Sequence, residues 1–200
     1  MSPNAYYAFD ILNIFFLECK YNIMKIGVFS DSHDHMINIE KATKVFLEND
    51  VQKIVHCGDL VAPFIKKAMS SLNGSKIEAV GVFGNNDGER DNMNRIFGDV
   101  MKIKGDFMEL NWNGHKIAVY HGTYQKMMKG LIDSQKYDLV LTGHTHNIWV
   151  ERVGKTLVVN PGETCGILTG KATCAIVDLG KDELYEDSVK IVSLSDERKW

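Results

Sequence analysis

Short apolar runs alternate with amphipathic segments through the first half of the chain. Residues 26–30, 53–57 and 77–83 are each apolar enough for a buried strand, whereas residues 38–49 and 62–72 repeat apolar positions at helical spacing. The resulting order is strand, helix, strand, helix, strand. This order predicts a parallel sheet with crossover helices.

The second half of the chain changes to hairpins and short connections. Residues 107–111 and 115–120 flank Asn113-Gly114, a dipeptide suited to a tight hairpin turn. A helix is predicted over 123–135. The remaining predicted strands cover residues 138–142, 148–152, 156–160, 173–179 and 189–194. We therefore predict an α/β fold in which two mixed β-sheets pack together with helices on the outside.

The first 23 residues differ from the rest. Residues 9–17 are apolar, but Asp10 and Asn13 interrupt them, and they are too short to span a bilayer and lack the features of a secretory signal. Met24 directly precedes the first predicted strand. We expect residues 1–23 to be an N-terminal extension, either upstream of the natural start at Met24 or packed outside the core. Residues 24–200 are expected to form a single domain, and the apolar extension is a candidate contact for a homodimer.

Composition limits the classes of partner that we expect for this chain. The chain has 200 residues, 44% of them hydrophobic, and a net charge of -3, which argues against a stable nucleic-acid partner because such proteins usually carry a basic face. We also expect no membrane partner. The four cysteines contain no C-x-x-C pair, which favours reduced thiols and a cytoplasmic location. We assign none of them to a metal.

Polar side chains suited to metal binding follow the predicted strands. They lie in five motifs: Asp31-Ser32-His33, Gly58-Asp59, Gly84-Asn85-Asn86-Asp87, His121-Gly122 and Gly143-His144-Thr145-His146. Each motif alone favours an ordinary turn or helix cap. Together they offer two carboxylates, one amide and four imidazoles at strand ends, and buried carboxylates are costly unless a cation compensates them. The set predicts a site for two divalent metal ions.

In this order the motifs resemble the calcineurin-like metallophosphoesterase superfamily, and closely its small archaeal and bacterial YfcE-type phosphodiesterase branch, from Met24 to about Asp178. The resemblance implies a four-layer αββα sandwich, the metallophosphoesterase fold. It implies one ion held by Asp31, His33 and His146. It implies a second ion held by Asn85, His121 and His144, with Asp59 bridging the two.

The activity implied is binuclear-metal-dependent hydrolysis of small-molecule phosphodiesters by attack of a metal-bridging hydroxide. We expect manganese at the site, with nickel, iron, cobalt and zinc as alternatives, because mixed nitrogen and oxygen ligands without thiolate suit all of these metals. Two such ions activate water and neutralise phosphoryl charge.

One position departs from the family pattern. Many members carry a histidine, thought to protonate the leaving group, where this chain has Asn86. We therefore expect a preference for acidic leaving groups such as aryl alcohols, with His35 or a metal-bound water as the alternative proton source. Asp87 is expected to orient the Asn85 loop or His121. Residues 160–163 are interpreted as scaffold.

Two other functions remain open at this stage. A retromer scaffold subunit resembles this fold, has a degraded metal site and serves as a binding platform, so the fold alone does not establish catalysis. The complete histidine set favours an enzyme. Phosphomonoesterase or protein phosphatase activity is the alternative within the enzyme class.

Overall fold

Two β-sheets form the centre of the computed structural model, which describes residues 24–195. The first sheet contains β1 (Lys25–Phe29), β2 (Lys53–His56), β3 (Glu78–Gly81), β4 (Lys102–Ile103), β10 (Thr173–Asp178) and β11 (Val189–Ser193). The second contains β5 (Phe107–Trp112), β6 (His115–Tyr120), β7 (Leu139–Leu141), β8 (Ile148–Val153) and β9 (Thr156–Pro161). The α-helices are α1 (Met36–Glu48), α2 (Arg90–Phe97) and α3 (Gln125–Asp133). Two 3-10 helices cover Pro63–Leu72 and Glu186–Ser188.

The first sheet has the strand order β11-β10-β1-β2-β3-β4. Strands β1 to β4 are parallel to one another, and β10 is antiparallel to both β1 and β11. The register places Phe29 beside His56 and His56 beside Gly81. The carboxyl ends of β1, β2 and β3 therefore lie side by side, where α/β sheets commonly bind ligands.

The second sheet has the strand order β5-β6-β7-β9-β8. Strands β6, β7 and β9 are parallel neighbours, whereas β5 and β8 pair antiparallel at the edges. The loops after β6, β7 and β9 therefore leave from the same edge. These loops begin at His121, Thr142 and Gly162, so the histidine motifs lie together.

Three apolar layers follow from the alternation of side chains along the strands. Ile26 and Val28 of β1 pack against the second sheet. Phe29 faces the helices, and its ring packs edge-on against that of Phe46 with the ring centroids 5.7 Å apart. On the outer face of the second sheet, Val140 packs with α3. The layers are thus helices, sheet, sheet and helix. This confirms the predicted αββα sandwich.

Two segments differ from the prediction. No element was predicted over residues 90–99, but α2 forms there and buries only Met93 and Phe97 on one face. The helix predicted over 62–72 is a 3-10 helix rather than an α-helix. Its buried positions, Ile65, Ala68, Met69 and Leu72, have a spacing that either helix type can place on one face, so apolar periodicity does not distinguish them.

The predicted N-terminal extension, residues 1–23, lies outside the described residues. Within residues 24–195, none of the helices combines the length and the apolarity needed to cross a lipid bilayer.

Candidate metal centre

Backbone hydrogen bonds join the loops that follow the parallel strands. Asp31 N–H donates to the carbonyl oxygen of Gly58 at 3.0 Å, and His33 N–H donates to that of Asp59 at 3.1 Å. From the second sheet, His144 N–H donates to Asp31 Oδ2 at 3.0 Å. The loops of both sheets therefore meet at one point, where the Asp31 and Asp59 side chains are buried.

Most of the predicted ligands adopt a left-handed backbone conformation. Positive φ angles occur at Asp31, His33, Asp59, His144 and His146. This region is uncommon for residues other than glycine, although Asp and His are enriched among the exceptions. Backbone strain of this kind persists where the surroundings compensate it, and it clusters at functional sites. The cluster of such angles singles out this edge of the two sheets.

Two pairs of histidine rings approach each other in this cluster. The rings of His33 and His146 stack with centroids 5.2 Å apart, and Asp31 Oδ1 lies 3.4 Å from His146 Nε2. The rings of His121 and His144 meet edge to face, also at 5.2 Å. The structure thus brings together the two histidines expected at each ion, while their assignment to ions stays a prediction.

The Asp59 carboxylate lies between the two pairs. Its Oδ2 is 3.6 Å from His33 Nε2 and 3.3 Å from His121 Nε2. Asn85 lies beside the loop that follows His121, because its Oδ1 accepts a hydrogen bond from Thr123 Oγ1 at 3.5 Å. All seven predicted ligands therefore come from the loops at this edge.

Two buried ring nitrogens make the donor set suitable for metal. Nε2 of His33 and Nε2 of His121 are buried and make no hydrogen bond within the described part of the chain. The other nitrogen of His121, Nδ1, is 2.8 Å from the carbonyl oxygen of Cys57 and must carry the hydrogen of that bond. Metal-binding histidines commonly donate their second ring N–H in this way. The Nε2 lone pair of neutral His121 therefore faces the two carboxylates, as a metal ligand would.

Electrostatics also favour a cation at this point. Burial raises the pKa of Asp31, against the opposing effect of His121. Burial would do the same for Asp59, but the charge of nearby His121 and hydrogen bonds from Asn86 outweigh it, so the pKa of Asp59 lies below its usual value. Burial opposes charge on His121 too, yet Asp59 and Asp31 raise its pKa. The buried carboxylates thus attract positive charge, which divalent ions would supply in place of a proton.

Asp87 and Asn86 hold the surrounding loops. Asp87 Oδ2 accepts hydrogen bonds from the backbone N–H groups of Asp59 at 3.0 Å and Gly84 at 2.7 Å, and Oδ1 accepts that of Val61 at 2.7 Å. Asp87 therefore orients the loop that carries Asn85, whereas His121 is held by Cys57. Asn86 Nδ2 donates to Asp59 Oδ2 at 2.7 Å.

His35 lies at the start of α1. Its Nδ1 accepts a hydrogen bond from Asn38 N–H at 3.3 Å and caps the helix. The ring also lines a cavity with Cys165 and Gly166. Its catalytic role stays a prediction.

His56 is a fully buried histidine that links two of the metal-site loops. Its Nδ1 accepts the Gly58 N–H at 3.0 Å, so the neutral ring carries its hydrogen on Nε2, which lies 3.0 Å from Ser32 Oγ. Burial, with a further contribution from His121, lowers the pKa of His56 to about 3. The ring therefore stays neutral at physiological pH.

This low pKa predicts a loss of stability in mild acid. Below pH 6.5 the unfolded chain protonates His56, whereas the folded protein does not until about pH 3. The free energy of unfolding should therefore fall by about 1–2 kcal/mol between pH 6.5 and pH 5 relative to a His56→Phe variant. Urea unfolding of both proteins at several pH values measures this difference. Parallel pH profiles would show that His56 is not the responsible group.

Glu163 is a functional candidate that the sequence interpretation placed in the scaffold. It is completely buried, and its Oε2 lies 2.7 Å from His146 Nδ1. Burial would raise its pKa, but hydrogen bonds from His146 and Thr169 lower the pKa to about 2. A signal was present in the sequence, because Glu163 follows a predicted strand and a glycine, as Asp59 does.

The chain matches a known family and is similar to known proteins. Residues 24–182 match the model of the calcineurin-like phosphoesterase superfamily domain. The chain is 41% identical to phosphodiesterase MJ0936 of Methanocaldococcus jannaschii over 165 residues, which is 82% of this chain and 98% of that protein.

Two solved structures are similar. A structure described as a novel archaeal phosphodiesterase has 39% identity and a TM-score of 0.76, and the match covers 85% of this chain and 99% of that one. The YfcE phosphoesterase from E. coli has 18% identity and a TM-score of 0.59, with 86% and 100% covered, and shows the shared fold. With its family model matched over most of its length and a relative at this identity, the chain belongs to the calcineurin-like phosphoesterase superfamily.

Proposed function

We propose that this protein is a phosphodiesterase that uses two divalent metal ions. The observation that carries the proposal is the Asp59 carboxylate, which lies between the His33–His146 and His121–His144 ring pairs. One buried Nε2 atom in each pair, that of His33 and that of His121, has no hydrogen bond within residues 24–195. The similarity to phosphodiesterase MJ0936 supports diesters as the substrate class.

We propose the following ligands for the two ions. One ion would be held by Asp31, His33 and His146, the other by Asn85, His121 and His144, with Asp59 shared. Such ions would supply an activated water and positive charge for the phosphoryl oxygens. Manganese is our first choice, with nickel, iron, cobalt and zinc as the alternatives.

The protein itself contributes geometry and a fixed charge pattern. Asp87 fixes the backbone of Asp59 and Gly84, which keeps the shared carboxylate and the Asn85 loop at a constant separation. The carbonyl oxygen of Cys57 fixes the ring of His121. Positioning of reacting groups and electrostatic stabilisation account for most of the catalysis of phosphoryl transfer.

Asn86 cannot deliver a proton to a leaving alcohol at neutral pH. We propose that departure depends on the acidity of the leaving group, with His35 as the alternative proton donor. The capping bond on His35 Nδ1 ties this ring to α1 and leaves the hydrogen of the neutral ring on Nε2. A missing general acid costs roughly 100-fold to 10,000-fold in rate for poor leaving groups.

A series of methyl aryl phosphodiesters tests this function. We expect hydrolysis after Mn²⁺ loading, none after chelation, and a rate that falls steeply as the pKa of the leaving phenol rises. His35→Asn, which keeps a capping side chain but removes the imidazole, should have the same dependence. A shallow dependence in the natural protein that becomes steep in His35→Asn would assign the proton to His35, and faster cleavage of aryl phosphomonoesters than of diesters would reverse the substrate class.

A further inference from the structure

We propose that Glu163 is a positioning residue that fixes His146 as a metal ligand and ties this ligand to the loop over residues 165–169. The inference rests on the proposed metal-dependent function. It concerns a residue that contacts a candidate ligand rather than substrate.

The Glu163 carboxylate is surrounded by hydrogen-bond donors. Oε2 lies 2.7 Å from His146 Nδ1 and accepts hydrogen bonds from Cys165 Sγ and Leu168 N–H, both at 3.1 Å. Oε1 accepts hydrogen bonds from the backbone N–H and the hydroxyl of Thr169. The side chain has no exposed surface. A buried carboxylate needs such compensation, and here His146 supplies part of it.

The contact with Glu163 determines which ring nitrogen of His146 carries the hydrogen and which one faces the proposed metal site. An ionised carboxylate only accepts hydrogen bonds, so Nδ1 of neutral His146 carries the hydrogen. Nε2 then presents a lone pair toward Asp31 Oδ1 at 3.4 Å. Two acceptors that face each other at this distance repel unless a cation lies near both. The Glu163 contact therefore prepares His146 to bind metal and opposes the other tautomer.

The same carboxylate organises the surface beside the cluster. The loop that donates to Glu163 contributes Leu168 and Thr169 to a cavity of about 620 Å³, which His146 also lines. The side chain of Leu168 is 73% exposed, so packing restrains it little. The hydrogen bond from Leu168 N–H to Glu163 Oε2 is therefore a main restraint on its position. The buried Glu163 carboxylate thus positions both a candidate metal ligand and the adjacent wall of the cavity.

Metal binding by Glu163→Gln tests the inference. The amide keeps the size of the side chain. Its NH₂ group is itself a donor, however, and it must face groups that donate to Glu163 on one side or the other. The negative charge beside His146 is also lost. We expect Mn²⁺ affinity to fall about 10-fold to 100-fold, measured by titration calorimetry on the full chain. We also expect the ¹⁵N resonances of the metal-free protein to show the Nδ1–H tautomer of His146, with a mixture of tautomers in the variant.

Thr169→Val is the matched control for loop order. It removes the hydroxyl that donates to Glu163 Oε1 and leaves the contact with His146 in place. We expect its Mn²⁺ affinity to stay within about threefold of that of the natural protein. Thr169 contacts Glu163 rather than His146, so its loss should weaken metal binding less than the 10-fold to 100-fold expected for a residue that contacts the ligand itself. Equal losses in both variants would assign the effect to the loop and overturn the inference. Equal affinity of Glu163→Gln and the natural protein would overturn it too, whereas a natural protein that binds no Mn²⁺ would instead refute the proposed function.

Discussion

Asp59→Asn is expected to lower Mn²⁺-dependent phosphodiesterase activity by about 1000-fold or more. Asp59 Oδ2 lies 3.6 Å from His33 Nε2 and 3.3 Å from His121 Nε2, one histidine of each ring pair. Asp31 Oδ1 also approaches both pairs, at 3.4 Å from His146 Nε2 and 4.0 Å from His121 Nε2. The amide keeps the shape of the side chain but removes the charge that both ions would share in the proposed site. Activity on a methyl aryl phosphodiester measures the loss.

Thermal stability with and without Mn²⁺ distinguishes the loss of a metal ligand from misfolding of the chain. The natural protein should gain thermal stability on addition of Mn²⁺, because an ion that binds only the folded state stabilises it by mass action. Asp59→Asn should lose most of that gain while the metal-free protein stays folded, since removing one of two buried negative charges relieves the repulsion between Asp31 and Asp59. An unfolded metal-free variant would point to a structural role instead.

A surface substitution of the same kind provides the control. Asp99 is 70% exposed and its carboxylate pairs with Lys66 at 2.6 Å. Asp99→Asn should keep activity within about twofold, because exposed ion pairs contribute little. If Asp59→Asn retained a tenth of the natural activity and bound Mn²⁺ normally, the shared position of this carboxylate would be wrong.

The sequence predicts the candidate ligands better than it predicts the groups that hold them. Asp31, Asp59 and His121 follow apolar strands, and parallel strands bring such positions to one edge whatever the details of packing. Their supports depend on register and on the contact between the two sheets. The carbonyl oxygen of Cys57 reaches His121 only because β2 and β6 lie in facing sheets, and no local pattern specifies that distance.

Asp87 and α2 illustrate the same limit. A turn containing Gly, Asn and Asp was expected after β3, but Asp87 accepts hydrogen bonds from three backbone N–H groups, and two of them, those of Asp59 and Val61, lie 28 and 26 residues earlier in the chain. Helix α2 was missed because only two of its residues are buried, too few to show a helical period. Arg90, at its first position, donates to the carbonyl oxygens of Asp87 and Gly84. The contact of Asp87 with the backbone of Asp59 and Val61 is long-range, and it gives no signal in the sequence around it.

The tight packing around Asp59 leads to the second prediction, that Gly84→Ala will lower activity at least about 100-fold. A Cβ atom at position 84 would lie 2.1 Å from Asp59 Oδ1 and 2.6 Å from Asp59 N, so one of the two residues must move. Gly84 cannot easily retreat, because its N–H donates to Asp87 and its carbonyl oxygen accepts from Arg90. Displacing a catalytic group by about an ångström costs on the order of 100-fold in rate.

Gly88→Ala makes this test specific to the contact with Asp59. Gly88 belongs to the same loop, but an added Cβ would meet nothing within 4 Å, so activity and stability should stay close to natural values. Gly84→Ala should lose about 1–3 kcal/mol of unfolding free energy from overpacking together with its activity and Mn²⁺ affinity. Kinetics, urea unfolding and calorimetry on the two variants measure these effects. Because the two substitutions add the same methyl group four residues apart, equal behaviour would mean that the position of Asp59 does not control the reaction.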